Sequence, residues 1–134
     1  MLHLNEVFNK IHFDVLFIDK INLFSGLSGE GKTFLFMVLD EYLLESGVSY
    51  SHFDSRYTNY SEDQLISLCV NKDVVIFDNA DLYLTQRILD YVFKNVDIFI
   101  ISIKFYCRLR FDLFNFYAIN YSGNSLVVRR ENDL

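Results

Sequence analysis

Gly26-Leu27-Ser28-Gly29-Glu30-Gly31-Lys32-Thr33 holds the residue types and spacing best suited to chemistry in this chain, fitting G-x-x-x-x-G-K-[ST] at every fixed position. Glycine at 26, 29 and 31 permits backbone angles that side chains forbid, so successive N–H groups can turn inward around a phosphate. A helix opening directly after the loop would add unsatisfied N–H groups and the positive end of its dipole. Lys32 would reach the outer phosphates and the Thr33 hydroxyl would ligate Mg²⁺. The candidate nucleotide-binding set is therefore Gly26, Ser28, Gly29, Glu30, Gly31, Lys32, Thr33 and Phe34, with ATP and Mg²⁺ as the ligands.

A phosphate loop needs a strand before it and a helix after it, and the pattern supplies both. Phe13 to Ile18 and Ile21 to Ser25 are short β-type runs. Lys32 to Glu45 steps in apolar residues at Phe34, Met37, Val38 and Tyr42, ending at Ser46-Gly47. Val48 to Phe53, Val74 to Phe77 and Ile98 to Ile103 read as strands. Glu62 to Val70, capped by Ser61, and Thr85 to Lys94 read as helices, the second with Ile88, Leu89, Val92 and Phe93 on its core side. Phe116 to Tyr121 and Ser125 to Arg129 read as a hairpin around Ser122-Gly123-Asn124. Apolar strands interleaved with helices imply an α/β fold in one domain, 1–134, with a largely parallel sheet covered on both faces and the hairpin as an antiparallel edge.

On the loop and this rhythm the chain resembles the P-loop NTPases. The resemblance implies a three-layer sandwich and a second acid at the end of an apolar strand, the Walker B pattern, matched by Val74-Val75-Ile76-Phe77-Asp78. Asp78 would hold the metal through a water, opposite Thr33; as a plain capping residue it would only close the strand-to-helix turn. In ATPases of the AAA, RecA and ABC groups a Glu follows that Asp and polarises the attacking water. Here Asn79 stands in its place, and an amide cannot accept the proton. Asp81 either substitutes for it or begins the next loop. The catalytic candidates are thus Lys32, Asn79 and Asp81. The same resemblance makes Phe13 to Ile18 an antiparallel lead-in to Ile21 to Ser25, and puts a γ-phosphate-sensing polar group at Ser102 or Lys104. It leaves an arginine from a neighbouring subunit to be matched by Arg87, Arg108 or Arg110.

Class follows from what accompanies the loop. Neither D-x-x-G after Asp78 nor N-K-x-D in a fitting place is present, so adenine is expected over guanine. A weak or partner-activated ATPase acting as an accessory protein, of the kind phages and mobile elements encode, is the first expectation. A nucleotide-dependent interaction module that does not hydrolyse is the second. A small-molecule or nucleoside kinase is the third, with Asp54 and Arg56 holding the acceptor; as a bland alternative, Asp54 is a turn residue.

Composition bounds these choices. The chain has 134 residues, is 51% apolar and carries a net charge of −6, which does not support general nucleic-acid binding. Residues 104–134 nevertheless hold five basic and three acidic groups, a basic end on an acidic body suited to a protein partner or self-association. No apolar run spans a bilayer, and Met1 to Lys20 shows no signal-peptide pattern, so a cytoplasmic protein without membrane contact is expected. Cys69 and Cys107 lack metal-ligand spacing and read as buried thiols.

Overall fold

A computed structural model describes residues 2–8, 11–17, 21–25, 32–103, 115–122 and 125–131. The elements run β1 (Leu2–Phe8), β2 (Ile11–Phe17), β3 (Ile21–Ser25), α1 (Lys32–Ser46), β4 (Tyr50–Phe53), α2 (Glu62–Ser67), β5 (Val74–Phe77), α3 (Gln86–Asn95), β6 (Ile98–Ile103), β7 (Asn115–Ser122) and β8 (Ser125–Glu131). Short 3₁₀ turns lie at Ser55–Tyr57 and Ala80–Leu82. All eight strands share one sheet in the order β1-β2-β8-β7-β3-β6-β5-β4.

Between β3 and β6 the chain repeats strand and helix, and every strand pair there is parallel. From β3 it crosses through α1 to the edge strand β4, then returns through α2 and α3 to β5 and β6. Crossovers keep one hand, so reversing direction across the sheet moves the helices to the opposite face. The two core clusters obey this. Leu35, Phe36, Leu39 and Leu43 of α1 pack with Val74, Ile76, Ile98 and Ile100. Leu65 of α2 and Ile88, Leu89 and Val92 of α3 pack with the alternating set Val75, Phe77, Phe99 and Ile101. Strands covered on both faces must be apolar at every position, and β5 and β6 are buried throughout.

The three-layer sandwich on a mostly parallel sheet is corrected by these pairings. The sheet is mixed: β1–β2 and β7–β8 are antiparallel hairpins, so half of its strands lie outside the parallel repeat. The β7–β8 hairpin is not at an edge, because it is inserted between β2 and β3. Nor is β2 an antiparallel lead-in to β3, since its neighbours are β1 and β8. Edge strand β1 packs against α1, and Leu2 and Leu4 share a core cluster with Leu39 and Val74. The β1–β2 end therefore curls over the helix instead of extending a flat layer, as sheet twist allows.

Local signals behave as their chemistry requires. Ser61 accepts from the Gln64 N–H and the Gln64 side chain accepts from the Ser61 N–H, a complete capping box. Thr85 caps α3. Of the apolar stripe expected for α1, Val38 is buried and Phe34 and Tyr42 pack against the core, but Met37 is 48% exposed and the buried face is carried by Leu35, Phe36, Leu39 and Leu43. Phe93 likewise sits at the rim of α3.

Candidate functional site

Parallel strands end on a common edge, and β3, β4, β5 and β6 bring their carboxyl ends together. Phe24 pairs with Ser102, and Phe77 pairs with Ile101, so Asp78, Ser102 and Phe24 fall in one row across the sheet. Side chains alternate along a strand. Since Val74, Ile76, Ile98, Ile100 and Phe24 pack in the α1 cluster, Asp78 and Ser102 lie on that same face. Lys32 and Thr33 open α1 directly after segment 26–31, which lies outside the described residues together with its candidates Gly26, Ser28, Gly29, Glu30 and Gly31. Strand β6 separates β3 from β5, which sets the two strands roughly 9–10 Å apart.

Ser102 is the polar residue in an otherwise apolar strand, and it is 2% exposed. Its hydroxyl donates to Asp78 Oδ1 at 2.7 Å and accepts the Asn79 N–H at 3.0 Å. The backbone donor fixes the hydroxyl's direction, so one carboxylate oxygen of Asp78 is held in place. Oxygen donors and water suit Mg²⁺. Among the described residues no group of three or more His, Cys, Asp or Glu is arranged as a metal cage, so phosphate and water oxygens would complete any shell. Lys104, the other sensing candidate, lies outside the described residues.

Asn79 has φ 53° and ψ 47°, a left-handed conformation that Asn tolerates better than most side chains. Its identity therefore has a backbone reason independent of catalysis. Asp81 lies in the 3₁₀ turn that follows, with Oδ1 enclosed and without a hydrogen-bond partner among the described residues. Between them runs a tie that sequence reasoning missed. Tyr83 Oη donates toward the Asp78 carbonyl at 2.6 Å and the Phe53 carbonyl at 3.0 Å, joining the ends of β5 and β4. Burial raises this phenol's pKa well above its ordinary value, with nearby Asp78 adding to the shift.

Beside Asp78 an open cleft of about 610 Å³ lies between α1 and β4, lined by Phe36, Met37, Asp40, Tyr50, His52, Asp54, Arg56 and Asp78. Asp54 and Arg56 do reach it, but they are bonded to each other. Arg56 Nε and Nη2 contact the carboxylate at 2.8–3.1 Å, and the Arg56 N–H caps Asp54 Oδ1 at 3.0 Å. The Arg56 side-chain bonds hold the Asp54 carboxyl below its usual pKa, against the opposing effect of burial. Elsewhere in the cleft, His52 Nδ1 lies 3.2 Å from Asp40 Oδ1, and Tyr50 Oη donates to the Asp40 carbonyl at 3.2 Å. Burial, then the hydrogen bond to Asp40, pushes the Tyr50 phenol up to about 12. The lone His52 in a short strand gave no sequence signal, because its partner Asp40 sits twelve residues away on α1.

Of the arginines that might act on a neighbouring subunit, Arg87 pairs with Asp63 at 2.7 Å, linking α3 to α2. Arg108 and Arg110 lie outside the described residues, as does Cys107; Cys69 is buried, and burial pushes its thiol up to about 12. No helix among the described residues is long and apolar enough to cross a membrane. In comparisons with known proteins, no family model and no curated protein matches this chain.

Proposed function

We propose that the chain binds ATP with Mg²⁺ at the carboxyl edge of β3, β5 and β6, as a P-loop protein whose own hydrolysis is slow. The observation that carries this reading is the row Phe24–Ser102–Asp78 on the α1 face, with a carboxylate held by a buried hydroxyl and sharing a cleft with Phe36 and Met37 of α1. The loop sequence 26–33 supplies the phosphate cradle, Lys32 the charge on the outer phosphates, and Thr33 with Asp78 the oxygens around the metal. When bound, Mg²⁺ neutralises developing phosphate charge.

Slow hydrolysis follows from Asn79. It is not a base, and its left-handed backbone gives it a structural reason to be Asn. Such a site acts as an accessory ATPase that a protein partner or a second copy accelerates. The same observation favours the second reading, a module that binds ATP to switch its contacts without turning it over. A cytoplasmic setting fits both. Competition of ATP and GTP for a fluorescent ATP analogue tests the reading. Displacement by ATP at lower concentration than GTP is expected, and GTP binding tenfold tighter, about 1.4 kcal/mol, would overturn the base assignment.

A further inference from the structure

Asp78 belongs to two places at once, the strand-end row and the cleft between α1 and β4. The cleft is larger than any metal or phosphate requires and falls within the ~300–1,000 Å³ range of small-molecule sites. Its nearest wall, Phe36, is four residues beyond Lys32, about 6 Å along α1. His52 pairs in register with Ile76, two positions before Asp78, so the Cα atoms of His52 and Asp78 are diagonal neighbours roughly 8 Å apart. A ligand in the cleft is therefore within reach of the terminal phosphate of a nucleotide held at the α1 terminus.

The chemistry of the walls narrows that ligand. Asp40 accepts from His52 Nδ1–H, which leaves Nε2 as a proton acceptor oriented by a carboxylate. Phe36 meets the His52 ring edge-on with centroids 6.4 Å apart, further limiting its orientation. Three of the lining residues are acids, and the guanidinium of Arg56 is already bonded to Asp54. A second phosphate-bearing ligand would be repelled by these carboxylates, whereas a neutral one would not. Met37 and Tyr50 offer apolar and aromatic surface to a planar ring, and the Asp54–Arg56 fork offers polar edges.

We infer that the cleft is an acceptor site for a neutral nucleoside, with His52 as the base that takes the proton of its sugar hydroxyl. The inference rests on the ATP reading above and gives the bound nucleotide a reaction that Asn79 cannot support with water. The nucleoside hydroxyl gives its proton to His52 Nε2, and its oxygen bonds to the γ-phosphorus of ATP. The bond from that phosphorus to the β–γ bridging oxygen breaks, and ADP leaves with the electron pair. Asp40 is a positioning residue that holds the imidazole through its Nδ1.

The test incubates the protein with Mg²⁺, ATP labelled in its γ-phosphate and each common ribonucleoside and deoxyribonucleoside in turn, beside a calorimetric titration with Mg-ATP. A labelled nucleoside monophosphate from at least one of them is expected. His52→Gln is expected to lower that transfer roughly hundredfold with ATP affinity unchanged. Asp40→Asn, at a site 44% exposed and so tolerant of change, is expected to lower kcat for the transfer by less than His52→Gln does and to leave the nucleoside KM unchanged, a split that a merely structural role would not give. Normal ATP binding with no labelled nucleoside, or full transfer by a folded His52→Gln protein, overturns the acceptor site alone. Absence of ATP binding by the wild type removes the nucleotide reading and this inference with it.

Discussion

At the scale of single residues, Asn79 is where backbone and chemistry make different demands. Its left-handed conformation suits Asn, while a base for hydrolysis would be Glu. Placing Glu there is expected to cost up to about 1 kcal/mol of stability, because the longer side chain lacks the short amide whose local polar contacts offset the left-handed backbone. It is also expected to raise single-turnover phosphate release roughly hundredfold with ATP affinity unchanged. A thermal melt and a quenched-flow assay check the two halves separately. Fast turnover by the wild type that Asp81→Ala stops would instead make Asp81 the base, through the carboxylate oxygen that lacks a partner among the described residues. Ser102 shows the opposite case, a residue whose two hydrogen bonds serve Asp78 and Asn79 together.

At the scale of elements, the site depends on strand ends held level. Tyr83 ties the last carbonyl of β4 to the carbonyl just beyond β5, and the Asp78 N–H adds a bond to Phe53 O at 2.8 Å. Tyr83→Phe removes the donor and leaves carbonyls without it, for an expected loss of about 1–3 kcal/mol. Urea unfolding should show a lower midpoint at an unchanged slope. The loop after β4 is pinned by the Asp54–Arg56 fork, and that contribution is pH-dependent. Asp54's folded pKa is depressed, so its stabilising effect is complete above the unfolded carboxylate value near about 4 and is lost as pH falls through the folded value. The stability gap between wild type and Arg56→Ala should be present at neutral pH and close in acid. A gap that persists at pH about 2 would mean Arg56 acts through packing.

At the scale of the molecule, the parallel half was legible and the rest was not, for a physical reason. Strands β5 and β6 are buried on both faces and so appear as unbroken apolar runs; the capping residues Ser61 and Thr85 mark α2 and α3 by local bonds. Strand β1 mixes His3, Asn5 and Glu6 with Leu2 and Leu4 because only one side is covered, and its pattern was too broken to read. Where β7–β8 inserts is set by pairing with β2 and β3, about a hundred residues away in sequence, which no local signal encodes. The site divides the same way. Segment 26–33, Asp78 and the polar strand end at Ser102 announce themselves in the sequence, while the Ser102–Asp78 bond, Tyr83 and the His52–Asp40 pair exist only once distant elements meet. The central claim, that this edge of the sheet holds Mg-ATP, is tested most directly by calorimetric titration of wild type and Lys32→Ala, with circular dichroism melts of both. The account predicts saturable binding by the wild type and none detectable by a variant that melts cooperatively like its parent. Equal affinity in the two proteins would contradict it.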